Sequence, residues 1–282
     1  MNNMRILVTG AAGMIGSATV RALVDAGYDV VGIDRREYHV DSTLYRHCVM
    51  DLGDAQGLKK LISDNRIDRV IHLAALAHTV KGESFTTEEY TYFNVECAEN
   101  VFRASAERPV LFISTVDVYG FTKDVVDGNS PVSPVSPYAV SKVQAEELCK
   151  KLSHYTIFRF SPVYTETVKR DIQKRYYLKY PTLAYRIGKG SEYEILNIHN
   201  AVNAILEWCQ MEPGNETKII KDPTPMHTAD YIQKEKANGR ARIVLPVPRW
   251  MVKCGYCTLK FILGERPLTY LLHKAVHPLR SS

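Results

Sequence analysis

Long apolar runs are missing from this chain. Its most apolar late stretch, "CGYCTLKFILG", is short and broken by Lys260, so it is not expected to span a membrane. A secretory leader is not expected either, because "MRILVTG" meets a glycine turn at once and carries no cleavage-site pattern. Six cysteines without a leader point to reduced thiols in a cytoplasm. Cys254 and Cys257 form a C-x-x-C, but no second ligand pair stands at a suitable spacing. No metal site is therefore expected, and the pair reads as two thiols on one helix face. The positive residues are scattered and lack the aromatic interleaving of a nucleic-acid groove, so no nucleic-acid partner is expected. Internal repeats and low-complexity segments are absent too.

What is present in the 282 residues is an alternation of strand and helix patterns. "RILVTG", "DVVGIDR", "DRVIHLAA", "PVLFIST" and "YTIFRFS" are short β-branched and apolar runs, which read as buried strands. Between them, "MIGSATVRALVDAG", "AQGLKKLISDN", "YTYFNVECAENVFRASAE" and the segment opening at "SPYAVSK" carry apolar residues at helical spacing. This order predicts an α/β fold, a doubly wound parallel sheet covered on both faces, with a smaller C-terminal part beside it. The expected division is residues 1–165 for the sheet domain, rejoined by 191–209, and 166–282 for the remainder. Charge follows a similar line. Residues 1–165 hold 17 Lys/Arg against 20 Asp/Glu, and residues 166–282 hold 19 against 11. The second half is thus suited to an acidic partner such as a diphosphate or a membrane surface, or simply carries a solvated basic face.

Two stretches carry candidate chemistry. In "TGAAGMIG", Gly10, Gly13 and Gly16 are spaced G-x-x-G-x-x-G between the first strand and first helix. That context suits a pyrophosphate. The first glycine allows the turn, the second lets the backbone come close, and the third packs helix on strand. Asp34 ends the second strand 18 residues on, placed to bond ribose hydroxyls and to favour NAD over NADP. Arg35 and Arg36 follow it and could instead serve a 2′-phosphate. In "SPYAVSK", Ser136 suits an N-cap and Pro137 the first helical position, which sets Tyr138 and Lys142 one turn apart on one face. Locally this is either a catalytic pair or an ordinary helix start.

In combination these segments resemble the extended short-chain dehydrogenase/reductase family, in its nucleotide-sugar epimerase/dehydratase branch. "TGAAGMIG", "MDLGD", "HLAALAH", "YTYFNV", "ISTVDVYG" and "SPYAVSK" follow the family's order over about the first 165 residues. The resemblance implies a Rossmann domain holding NAD through Gly10, Gly13, Met14, Ile15, Gly16, Asp34, Arg35, Asp51, Leu52, Leu73, Ala74, Ala75 and Asn94. It also implies a catalytic set of Thr115, Tyr138 and Lys142, of which the last two also touch the cofactor, a nucleotide-sugar substrate and a homodimer. "FRFSPVYT" departs from the family pattern, with Pro162 for the usual asparagine and Thr165 for the usual glycine. "LNIHNAVNAIL" departs at Asn197, His199 and Asn200. Relatives usually continue beyond the equivalent of "KAVHPLRSS".

A free tyrosine has a pKa of about 10, and a nearby ammonium together with a helix N-terminus lowers it. Tyr138 would then exchange a proton with a sugar hydroxyl, Lys142 would hold the phenolate and the nicotinamide ribose, and Thr115 would hold the reacting oxygen. The family's dehydratases have an Asp-Glu pair after the threonine, where this chain has Val116 and Asp117, so dehydration is disfavoured. Three readings follow. They are 4-epimerisation through a 4-keto sugar, 4-keto-sugar reduction, and a non-catalytic NAD-binding sensor or scaffold. For the substrate, Asp117 and the basic group Lys169, Arg170, Lys174 and Arg175 are candidates. "PVPRWMVKCGYCTLKFILG" reads as a basic amphipathic helix that packs its apolar face on the substrate part, with a peripheral membrane contact as the alternative.

Overall fold

The β-branched runs form a sheet because their side chains are fully covered on both faces. The computed structural model describes residues 4–77 and 85–282; His78 of "HLAALAH" and the side chains of Arg170 and Pro267 lie outside the described residues. Up to Phe160 the described strands are β1 (Arg5–Thr9), β2 (Asp29–Asp34), β3 (Tyr45–Val49), β4 (Arg69–His72), β5 (Val110–Thr115), a two-residue β6 (Val125–Val126) and β7 (Tyr155–Phe160). A seven-stranded sheet runs Glu216–Ile220, β7, β5, β4, β1, β2, β3. The ladders from β3 through β2, β1 and β4 to β5 are parallel. The order reverses between β1 and β4, the kind of point where open α/β sheets take their ligands. β3 is a half-covered edge strand that apolar patterning alone does not single out.

The helices are α1 (Met14–Asp25), α2 (Ala55–Asp64), α3 (Thr87–Thr91), α4 (Cys97–Ala104), α5 (Pro137–Cys149), α6 (Arg170–Gln173), α7 (Ile198–Gln210), α8 (Thr228–Ala237), α9 (Arg249–Leu263) and α10 (Pro267–Val276). Leu58 and Leu61 of α2, Val101 and Phe102 of α4 and Ala145 of α5 share one core with Leu7, Val31, Val70 and Phe112 of the strands. Each fully buried aliphatic or aromatic side chain contributes about 1.5–3 kcal/mol. The long helix expected over "YTYFNVECAENVFRASAE" runs without a break from Thr87 to Ala104, as α3, a π turn at Tyr92–Glu96 and α4. The π turn carries Asn94, whose buried amide bonds other elements. One wide turn is the kind of irregularity that function retains in a helix.

By compactness the chain forms two units. One unit is residues 1–115, 137–159 and 198–218, and the other is 116–136, 160–197 and 219–282. The second unit has its own cluster, with Ile172, Tyr176, Ala184, Ile195, Met226 and Ile232 at its centre. The expectation that α9 packs an apolar face inward is corrected. Tyr256 is its buried residue, while Trp250, Met251, Phe261 and Ile262 are exposed. The inner seat is narrow, consisting of Tyr256 against His273 and His277 on the α10 side.

A fully buried ion pair lies in the first unit. Glu146 of α5 meets Arg159 of β7 at 2.7 Å, with side chains 1% and 3% exposed. Ser114 of β5 donates to the same carboxylate at 2.5 Å. Removing one charge from such a pair strands the other. Glu146→Gln should cost about 3–5 kcal/mol of unfolding free energy, and Ser114→Ala about 1–2 kcal/mol, both read from urea melts.

Candidate active site

At the reversal point the loops after β1 and β4 touch backbone to backbone. Gly10 has φ +72°, and a Cβ there would sit 2.8 Å from the Ala74 nitrogen. A Cβ on Gly16 would lie 2.0 Å from the Gly10 carbonyl oxygen. Only glycine permits this approach. Beneath it, Thr9 Oγ1 lies 2.7 Å from His72 Nδ1 and accepts from the Ala74 N–H at 3.3 Å. Leu73, Ala74 and Ala75 therefore start against the glycine turn.

This cradle fits a dinucleotide. Gly13 is the N-cap of α1 and offers no side-chain bond, so no cap competes for the first-turn N–H groups at Met14, Ile15 and Gly16, which suit an anion. Asp34 accepts from the N–H of Ala12 at 3.1 Å and of Arg36 at 3.0 Å, which fixes its carboxylate at the turn. Arg36 donates to the Ala12 carbonyl at 3.0 Å, whereas the Arg35 guanidinium stacks over Phe93 at 4.5 Å. Asp51 accepts from the Gly53 N–H at 2.8 Å, and Asn100 holds the carbonyl of buried Leu52 at 3.0 Å. Asn94 accepts from Leu76 N–H at 2.7 Å and donates to the Leu76 carbonyl at 3.1 Å and to Ser141 Oγ at 3.0 Å. It thus joins the loop after β4 to α5.

α5 starts at Pro137 and carries Tyr138, Lys142 and Glu146 at successive turns. Spacing by four keeps them on one face. Tyr138 lies against Tyr90, with ring centroids 6.1 Å apart. Lys142 is 2% exposed, with Nζ 4.1 Å from the centre of the Phe112 ring. Burial pushes its ammonium down to about 7, and Glu146 opposes that shift. His72, equally buried, is held neutral by burial and by Lys142, its pKa pushed down to about 3. Thr115 ends β5 next to Ser114, whose bond to Glu146 ties that strand end to α5.

In the second unit, Asp117 pairs with Lys274 at 2.5 Å. Burial, with Asp117 adding to it, pushes the Tyr270 phenol up. These three line a small cavity together with Arg175, Tyr193 and His273. The Arg175 guanidinium lies 4.7 Å over the Tyr193 ring. Lys169 lines neither this cavity nor the larger one beside the C-terminal strand, and Lys174 pairs with Asp171. Val116 is 7% exposed.

Sequence reasoning misses Ser114, Glu146, Arg159 and Lys274. Glu146 has a signal, since the four-residue step from Tyr138 to Lys142 leads on to it. Lys274 has none, because 157 residues separate it from Asp117.

A family model described as the NAD dependent epimerase/dehydratase family matches residues 6–211. The dTDP-D-glucose 4,6-dehydratase of Homo sapiens is 32% identical over 178 residues, 58% of this chain and 50% of that protein. UDP-glucose 4-epimerase 2 of Arabidopsis thaliana is 33% identical over 165 residues, 51% of this chain and 46% of that protein. The chain spans about half the length of these curated relatives. Among solved structures, the UDP-Glc/GlcNAc 4-epimerase of Campylobacter jejuni superposes with a TM-score of 0.72 at 19% identity over 87% of each chain. The UDP-glucuronic acid 4-epimerase of Bacillus cereus in complex with NAD has a TM-score of 0.68 at 24% identity, over 87% of this chain and 88% of that one. At these identities the superpositions establish the fold.

Two outcomes test the site. Gly16→Ala forces a Cβ into the Gly10 carbonyl, so stability should fall by about 1–3 kcal/mol and dinucleotide binding, followed by fluorescence, should be lost. Lys142 has a folded pKa below its unfolded one, so between about pH 7 and its ordinary value the unfolded chain binds more protons. Its burial cost is complete below that window and relieved as pH rises through it. In urea melts without ligand, wild type should therefore gain stability relative to Lys142→Met on going from pH 7 towards pH 10. A constant difference would contradict the burial of an ionisable amine here.

Proposed function

The chain belongs to the NAD dependent epimerase/dehydratase family, and from that premise we propose that it epimerises a nucleotide sugar at C4 through a 4-keto intermediate. The observation that carries this reading is the α5 face, where Tyr138 and Lys142 stand one turn apart and Glu146 is tied to the strand that ends in Thr115. NAD would be held by the glycine turn, with Asp34 on the adenosine ribose and Asn94 behind the loop after β4. Bound there, it would supply the hydride acceptor and, on the return, the donor. The fixed Asp34 carboxylate supports NAD over NADP.

Tyr138 is the proton acceptor in this reading. Its phenolic oxygen takes the proton of the C4 hydroxyl and later returns it. The Lys142 ammonium favours the phenolate by proximity of opposite charge. Thr115 holds the C4 oxygen by hydrogen bonding. Val116, apolar and buried, stands where dehydratase chemistry would need an acid, which supports epimerisation over loss of water. Asp117 and Arg175 are the substrate contacts favoured by their shared cavity, with Lys169 and Arg170 held as weaker candidates. A homodimer and a cytoplasmic location belong to the same proposal.

The test is turnover with a panel of UDP- and dTDP-sugars, each followed for the C4 epimer and for net change in reduced cofactor. Epimer formation without net NADH or NADPH consumption is expected. Tyr138→Phe should lower kcat by about 10²- to 10⁴-fold while leaving NAD affinity within a few fold. Stoichiometric cofactor consumption would instead establish a reductase. NAD binding without turnover on any sugar nucleotide, with Tyr138→Phe indifferent, would establish a sensor.

A further inference from the structure

The outward face of α9 is mainly apolar, interrupted by Thr258. Trp250, Cys254, Cys257 and Phe261 follow at steps of three and four, so they form one stripe. Trp250 is 66% exposed and Phe261 92% exposed, and both cysteines are exposed free thiols. Met251 and Ile262 widen the stripe, both at least half exposed. Beyond the turn at Gly264, Leu268 and Leu271 on α10 are exposed as well. The opposite side of α9 is already occupied, since Tyr256 lies against His273 at 5.6 Å between ring centres, with its hydroxyl 3.2 Å from the His273 Nδ1. An exposed run of this size and composition on an otherwise ordinary surface calls for a partner.

Charge selects which partner. Lys253 borders the stripe, about 60–80° round the helix from Trp250 and Phe261, while Arg249 and Lys260 lie about 100° round on the same side, the Lys260 ammonium also 5.2 Å over the Phe121 ring. Between Pro248 and the C-terminus there are six Lys/Arg and one carboxylate, Glu265. That carboxylate is paired with Lys260 at 2.9 Å. A second copy docking face to face would bring the same cations against these, which is repulsive. An anionic lipid surface matches both features. Its acyl boundary takes Trp250, Met251, Phe261 and Ile262, and its headgroups take the cations, whose aliphatic stems can lie along the boundary. Tryptophan is also favoured at that depth.

We propose that the α9–α10 pair docks on an anionic membrane, with α9 lying in the plane of the interface. It does not cross. α9 has 15 residues, a length of about 22 Å against a hydrocarbon core of about 30 Å, and among the described residues no helix is long and apolar enough to span one.

The experiment is sedimentation of the full chain with vesicles of phosphatidylcholine alone and of phosphatidylcholine mixed with phosphatidylglycerol. Binding to the mixed vesicles alone, weakened by added salt, is expected. Lys253→Gln should weaken it about 5-fold, since each basic residue at such a surface contributes about that factor. Phe261→Ser with Ile262→Ser should weaken it tenfold or more, on the order of what burying two large apolar side chains provides. Melting temperature and circular dichroism of these exposed-site variants should match wild type, so lost binding cannot be ascribed to unfolding. Absent binding to mixed vesicles, or binding indifferent to Phe261 and Ile262, would overturn the proposal. So would lipid-free sedimentation velocity showing that wild type self-associates and the double variant does not, which would assign the face to a second copy.

Discussion

The Glu146 carboxylate is the joint on which the candidate site depends. It receives Ser114 from the strand end and Arg159 from β7, and it belongs to the helix that carries Tyr138 and Lys142. All three partners are almost completely buried. A charged pair removed from water has to be fully hydrogen-bonded to be tolerated, and this one uses both carboxylate oxygens. Its geometry therefore has little freedom. That rigidity sets the rotation of α5 about its axis, and with it the direction in which the residues one and two turns earlier point. Catalytic positions need this support, because a small displacement at the reacting atoms is costly in rate.

A second constraint acts on the same helix from the other side. Asn94, carried by the π turn, bonds both the loop after β4 and Ser141 of α5. The loop after β4 also lies against Gly10. The glycine turn thus meets that loop backbone to backbone, and the buried Asn94 amide links the loop to α5. A dinucleotide on the turn and a reacting group above α5 would be held by one connected framework. The buried Lys142 sits within it as an amine that its surroundings press towards neutrality, so an adjacent phenolate would offset part of its burial cost.

Much of this was legible in the residues. Strand–turn–helix with three spaced glycines requires a tight, Cβ-free approach, and the structure places Gly10 and Gly16 where a side chain would collide. Tyr138 and Lys142 lie one turn apart because helical periodicity leaves no other choice. What was not legible came from contacts distant in sequence or from local irregularity. No periodicity marks the π turn at Asn94, whose amide bonds residues distant in sequence. Lys274 meets Asp117 through tertiary packing alone. For α9 the amphipathic pattern was visible, but pattern does not say which face turns inward, and both faces of this helix are apolar enough to compete. Tyr256, with a hydroxyl that His273 can satisfy, takes the inner place.

The central claim is that these residues move hydride off C4 of a sugar nucleotide and back to the same carbon. Deuterium at C4 tests it most directly. With a C4-deuterated sugar nucleotide and NAD, the account predicts that NMR will show the epimeric product with deuterium still at C4. Epimer formed with C4 deuterium lost to solvent, or deuterium ending in free reduced cofactor beside a released keto sugar, would contradict it.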